Sequence, residues 1–236
     1  MRCEPGRRLG PPHSPFASSI PDMSEPQGAT HSHTHEQDVG RFDRWAKRYD
    51  RSLFQPFFFR RVHKRLGEVL SPTAAEAILD VGCGTGSLAG ALLSASGARI
   101  VGVDPAPGMV RAATDKAAAG GPRFAVAAAE HLPFRDSWFD AAVSAISAHH
   151  WQDPAGGFQE LFRVLRPGGR LVIADVGALG PVVGAMKRAR RVDPDHHRGW
   201  TPRQLADLLY GAGFHSVMAR TERMLGGSVV TVSARR

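Results

Sequence analysis

The stretch "ILDVGCGTGSLAG", residues 78–90, decides how this chain should fold. An apolar run reaches an acid, Asp80, and then glycines fall at every second position: Gly82, Gly84 and Gly86. Behind them "SLAGALLSAS" (87–96) has the small and apolar character of a packed helix. A short buried strand, a glycine turn and a helix form the entry unit of a parallel α/β sheet. Two kinds of ligand suit such a turn. Gly84, Gly86 and Ala89 match the G-x-G-x-x-A spacing of a dinucleotide site, and Asp104 lies where an acid would hold a ribose. Asp80 argues the other way. A carboxylate two residues before Gly82 would repel a pyrophosphate and attract a cation.

Outward from that turn, strands and helices alternate. "AILDV" (77–81), "RIVGVD" (99–104), "RFAVAA" (123–128), "WFDAAVSAIS" (138–147) and "RLVIADV" (170–176) read as strands. Helices are expected over 87–96, 106–119 and 154–165, with "RPGG" (166–169) as a turn. "TPRQLADLLYGAGF" opens on an N-cap threonine with proline at the first helical position, and closes near Gly211 and Gly213. "HSVMARTERM" and "SVVTVSARR", joined by "LGGS", read as a hairpin. The fold class is therefore α/β, a doubly wound seven-stranded sheet whose last strand runs antiparallel. An antiparallel ending is also unusual for a dinucleotide domain.

Residues 1–40 are rich in Pro, Ser, His and Gly, and their composition predicts a disordered tail before a domain over 41–236. His31, His33 and His35 alternate there, but a floppy segment offers a metal no fixed geometry, so no metal site is expected. The tail carries three arginines against five acids, a net of −2, so the remainder of a chain of formal charge +8 carries +10. Much of that lies in 41–65 and in "KRARR" (187–191). A solvated basic surface accounts for it, and attraction to anionic lipid or nucleic acid is the sharper alternative. Before Gln55 the run "RFDRWAKRYD" also looks helical. In "PFFFRRVHKRLGEVL", Phe59, Val62, Leu66, Val69 and Leu70 recur at helical spacing as a core stripe. Trp45, Phe54, Phe57, Phe58 and Phe59 could instead line an apolar acceptor site or touch a membrane surface. No apolar run is long enough to span a bilayer, and the two separated cysteines make no disulfide framework. A reducing cytoplasm is the expected setting.

Five segments in order, "LDVGCGTG", "VGVDPAPGMV", "AEHLPFRDSWFDAAVSAISAHHW", "RVLRPGGRLVIADV" and "TPRQLADLLYGAGF", resemble the successive motifs of class I S-adenosylmethionine-dependent methyltransferases. The resemblance is greatest to the small-molecule branch that includes the ubiquinone/menaquinone C-methyltransferases, and it covers roughly residues 41–236. It implies S-adenosylmethionine as cofactor, with a small-molecule acceptor such as a quinol, a lipid or another metabolite. That cofactor carries a sulfonium, an amino-acid end, a ribose diol and an adenine, and no phosphate. Gly82, Gly84 and Gly86 would let the backbone come close to it, with Cys83 a small filler in the turn. Asp80 would attract its cationic groups, and Asp104 would accept from both ribose hydroxyls. Met109 would cover an adenine face. In related sequences an acid after the third strand commonly reads the adenine amino group. That position is Ala128 here, so the backbone of Ala128 and Ala129 would have to serve, because Glu130 is two residues out of register.

Methyl transfer is an in-line displacement, so a protein chiefly supplies alignment, plus a base where the acceptor must lose a proton. Ligands in such sheets bind beyond the carboxyl ends of the strands. "SAISAHHW" therefore places His149, His150 and Trp151 beside the reacting methyl, with either histidine a candidate base. Tyr49 resembles the lid tyrosine of related enzymes. Absent motifs narrow the class. There is no [N/D]-P-P-[Y/F] after the fourth strand, no domain cysteine besides Cys83 to act as a covalent nucleophile, and no acid cluster for magnesium. RNA or protein acceptors, a non-catalytic cofactor binder and a nicotinamide dehydrogenase are the alternatives, with nucleic acid disfavoured. A monomer or a homodimer is expected.

Overall fold

The computed structural model describes residues 55–179, 199–224 and 227–236. The expectations for the 1–40 tail, Trp45, Tyr49, Phe54, the Phe57 side chain and the basic run 187–191 lie outside the described residues. The described chain begins with α1 (Gln55–Leu70) and β1 (Ala77–Val81). It continues through α2 (Ser87–Ser96), β2 (Arg99–Asp104), α3 (Pro107–Lys116), β3 (Arg123–Val126) and β4 (Phe139–Ala145). A single 3-10 turn (Ala148–His150) leads to α4 (Pro154–Val164), β5 (Leu165–Leu179), α5 (Pro202–Gly211), β6 (His215–Met224) and β7 (Gly227–Arg235).

One seven-stranded sheet results, in the order β3-β2-β1-β4-β5-β7-β6. β1 pairs in parallel with β2 and β4, β2 with β3, and β4 with β5. β7 is antiparallel to both β5 and β6, as the hairpin reading expects. The order reverses beside β1, so the strand carrying the glycine turn sits at the topological switch point, where such sheets open a crevice.

Strand alternation sorts the core into two layers. Leu79, Val81, Val101, Val103 and Ile173 face a layer closed by Phe158, Leu161, Leu205 and Leu209 of α4 and α5. Ile78, Ile100, Val143 and Val172 face the other, closed by Val62, Leu66 and Leu70 of α1 and by Leu88 and Leu92 of α2. The helical stripe of α1 is thus only partly core. Val62, Leu66 and Leu70 are buried, whereas Phe59 borders a cavity.

Several boundaries differ from the sequence reading, three of them near the site or the sheet edge. β3 stops at Val126, which leaves Ala128 and Ala129 in the loop beyond it, although the Ala127 N–H still reaches the Asp104 carbonyl at 3.2 Å. β4 ends at Ala145 rather than 147. The strand expected at 170 starts at Leu165, because the "RPGG" turn is a bulge within β5: Phe139 pairs Leu165, while Ala141 pairs Arg170. The bulge is held by Gly168 N–H donating to the Arg236 carbonyl (2.8 Å) and Arg236 N–H donating to Gly169 O (3.0 Å). α5 begins on a complete capping box, with Gln204 N–H donating to Thr201 Oγ1 and Thr201 N–H donating to Gln204 Oε1. Among the described residues no helix is long and apolar enough to cross a membrane.

Candidate active site

Beyond the carboxyl ends of β1, β2 and β4 lies a cavity of about 930 Å3. It is bordered by the glycine turn, Asp80, Asp104, Met109, the loop Ala127–Glu130, the β4 exit Ala145–Trp151 (without Ala148 and His149) and one side of α1. Its size suits a nucleoside-sized ligand plus a second small molecule. Of the sequence-expected residues, Asp80, Gly82, Cys83, Gly84, Asp104, Met109, Ala128, Ala129 and His150 all border it. His149 and Gly86 do not.

The turn is built by exclusion. Gly82 has φ +72°, and a Cβ there would overlap the Ser147 hydroxyl at the exit of β4. Gly84 has φ +53°, yet a Cβ there would meet nothing within 4 Å, because it would project into open space. The first glycine thus serves protein packing and the second keeps a cradle clear. Gly86 stands behind the cavity as the N-cap of α2, packed beneath the Phe124 ring. Cys83 is buried, and burial, with Asp80 and Asp104 nearby, pushes its thiol well above the ordinary range. It is no nucleophile, and its Cβ packs toward Gly102.

Two buried carboxylates dominate the electrostatics. Asp104 Oδ2 accepts from Gly84 N–H and its Oδ1 from Ala106 N–H, both at 2.9 Å. Those bonds orient the carboxylate, and each oxygen retains a lone pair for a further donor. Asp80 is 1% exposed, and its Oδ2 has no hydrogen-bond partner among the described residues. Burial pushes its pKa up to about 7, helped by the charge of Asp104 and opposed by a backbone hydrogen bond from Ala89. Burial also pushes Asp104 up to about 6, against the pull of its two backbone donors. A buried acceptor without a donor is costly. Asp80 is therefore suited to a ligand that brings a cation.

This chemistry tests the expected cofactor and fits it. Two acids at the turn oppose a pyrophosphate, and the cations that border the cavity, Arg60 and Lys64, stand on α1 rather than at the turn. A sulfonium and an ammonium would satisfy Asp80, a diol would satisfy Asp104, and the Gly84 cradle admits close approach. Where an adenine would be expected, Glu130 borders the cavity, but its Oε1 accepts from Asp153 N–H at 3.0 Å, which ties that acid to the start of α4. The Ala128 carbonyl accepts from His131 N–H at 3.2 Å. Arg163 anchors the following loop through Leu132 O, Phe134 O, Asp136 and Glu160.

The histidines separate. His150 borders the cavity, whereas the His149 side chain is turned away and 8% exposed. Its Nδ1 lies 2.6 Å from Oδ1 of Asp175, a wholly buried acid of β5 that sequence reasoning missed. The available signal was an acid interrupting the apolar run of "LVIADV". His63 of α1, which the sequence reading did not single out, also borders the cavity, and burial lowers its pKa to about 4, so it is neutral. Tyr49 lies outside the described residues.

Fold and site together define a Rossmann-like protein whose glycine turn and paired acids would suit a cationic, phosphate-free nucleoside. A family model for the methyltransferase domain matches residues 79–173. The chain is 33% identical over 189 residues to a malonyl-[acyl-carrier protein] O-methyltransferase of Herminiimonas arsenicoxydans, covering 77% of this chain and 68% of that protein. It is 42% identical over 118 residues to a demethylmenaquinone methyltransferase of Thermus thermophilus, covering 49% and 54%. A solved Haloferax volcanii complex, of a protein described as a methyltransferase with the Trm112 methyltransferase activator, shares the fold. There the TM-score is 0.67 at 22% identity, over 82% of this chain and 96% of that one. The chain belongs to the methyltransferase-domain family, the class I S-adenosylmethionine-dependent methyltransferases. It spans about half the length of several curated relatives that it matches.

Proposed function

We propose that this protein transfers a methyl group from S-adenosylmethionine to a small-molecule acceptor. The observation that carries the reading is the pair of buried acids at neighbouring strand ends, with Asp80 Oδ2 lacking a donor among the described residues, beside an open glycine cradle. S-adenosylmethionine supplies, when bound, a methyl already activated by positive sulfur. Asp80 holds the cationic end, Asp104 the ribose, and Met109 and the Ala128–Ala129 loop flank the adenine. The protein's part is alignment and exclusion of water around the reacting carbon. The remaining volume, toward His150, Trp151 and Phe59, takes the acceptor. Relatives that act on a quinone precursor and on an acyl-carrier-linked malonyl group favour a small-molecule acceptor.

Calorimetry tests this directly. The protein should bind S-adenosylmethionine and not NAD, and Asp104→Ala should weaken the first by tenfold or more, as expected for a lost charge-assisted pair. Tight NAD binding would sink the reading. Unchanged affinity in Asp104→Ala would sink the ribose assignment. Cofactor consumption across quinols, phenols and amines then identifies the acceptor class.

A further inference from the structure

We infer that Asp175 is a positioning residue for a proton-accepting site on the Ala148–His150 turn, and that the acceptor presents an ionisable hydroxyl of the phenol type, deprotonated by His150. The inference rests on the methyltransferase reading above and names its acceptor.

Asp175 sits in an apolar stretch of β5, between Ala174 and Val176, and is 0% exposed. The sheet does not need a charge at this position, and burying one is costly unless it is well bonded. This one is. Its Oδ2 accepts from His149 N–H at 2.9 Å, and its Oδ1 accepts from Val176 N–H at 2.7 Å. Oδ1 also meets His149 Nδ1 at 2.6 Å. A carboxylate only accepts, so Nδ1 carries the proton, and the tautomer and ring plane of His149 are set. One acid thus clamps both the main chain and the side chain of His149.

The clamp reaches the cavity through the next residue. The His149 and His150 rings lie 3.9 Å apart between centroids, tilted by 42°. His150 N–H donates to the Ser147 carbonyl at 2.9 Å, closing the turn. Ser147 is the residue whose hydroxyl fills the space beside Gly82, and it also receives the Trp151 Nε1–H at 3.2 Å. The turn is therefore seated on the glycine loop, and His150 faces the cavity where the methyl would be delivered.

An imidazole at the cavity wall, set against a fixed neighbour, is suited to receive a proton that must leave. Transfer to a tertiary amine or a thioether requires no base, whereas a neutral hydroxyl does. In the step, the hydroxyl oxygen forms a bond to the methyl carbon while the carbon–sulfur bond breaks. The electron pair of that bond stays on sulfur, and the O–H proton passes to His150, so the positive charge of the sulfonium reappears on the imidazolium. Asp175 and His149 touch no reactant and act through the placement of His150.

Three variants of the full chain test this. With 4-methylphenol and 4-nitrophenol as probes, His150→Gln should lower kcat about 10²-fold on the less acidic phenol and much less on the more acidic one. Asp175→Asn should lower kcat about tenfold with the Kd for S-adenosylmethionine unchanged. In the ligand-free protein it should also release the 15N signals of His149 from a single Nδ1–H tautomer. Asp175→Glu should restore the tautomer in part. Equal losses on both phenols, or an Asp175→Asn variant that changes only melting temperature, would overturn the inference. So would a wild type that binds S-adenosylmethionine and methylates amines alone. If the wild type fails to bind the cofactor at all, the methyltransferase reading itself falls, and this inference with it.

Discussion

Cofactor affinity should rise steeply with pH up to about 7, because burial favours the protonated form of Asp80 in the empty site below that pH. Its pKa is raised from 3.8 to about 7, chiefly by burial and then by Asp104. A cationic ligand prefers the carboxylate, so binding must expel the proton wherever Asp80 still holds it. At pH 5 about one site in a hundred is ionised, and at pH 7 about half are, so affinity should fall about 50-fold, or about 2 kcal/mol, between pH 7 and pH 5. Asp104, raised to about 6, deepens the fall over the same range. Above pH 8 the curve should flatten. Isothermal calorimetry in two buffers of different ionisation enthalpy gives both quantities. It should record about 1.4 protons released at pH 6, about 0.9 from Asp80 and about 0.5 from Asp104, and only a small fraction at pH 8. Asp80→Asn should remove most of this slope and bind weakly at every pH. An affinity that stays flat from pH 5 to pH 8 would refute the assignment of Asp80 as the buried acceptor of a cation.

The same shift has a cost in the free protein. Because the folded pKa lies above the unfolded one, Asp80 contributes stability below about pH 4 that is lost as pH rises through about 7. Asp80→Asn should therefore melt higher than wild type at pH 8, by on the order of a few kcal/mol at most, while losing the cofactor-induced increase in melting temperature. The first two glycines of the turn should respond differently to alanine. Gly84→Ala should fold with a strain of roughly 1 kcal/mol and lose cofactor affinity, because its methyl enters the open cradle, whereas Gly82→Ala should unfold more readily, because its methyl meets Ser147. Circular dichroism melts and calorimetry separate these outcomes. Thr201→Ala removes the capping box of α5 and should cost about 1 kcal/mol by denaturant titration, with no change in cofactor affinity.

Local patterning made most of the fold legible. Alternation of apolar strands and amphipathic helices specifies a parallel sheet, and "LGGS" between two β-rich segments specifies the closing hairpin. The placement of Asp80, Asp104 and Met109 at the cavity was legible because they stand at strand ends and a helix start, which sequence spacing encodes directly. Boundaries were less so. Leu165 reads as the last residue of a helix, yet pairing with Phe139 and the grip of Arg236 on the bulge draw it into β5. Pairing between distant strands overrides the local signal there.

What the sequence by itself determined is the glycine turn and the two acids at neighbouring strand ends, since one contiguous turn and one acid at the next strand end compose that side of the cavity. What only the tertiary structure decided is the division between His149 and His150. The two are neighbours in the chain and alike in chemistry, and nothing in "SAHHW" distinguishes them. The distinction comes from Asp175, 26 residues away, which captures His149 and leaves His150 at the cavity wall. The reason for Gly82 is likewise tertiary. Its missing Cβ serves Ser147, which parallel pairing of β1 with β4 brings against the turn. Residues that act through contacts between strands carry no local signature, because their partners are set by sheet order and not by spacing.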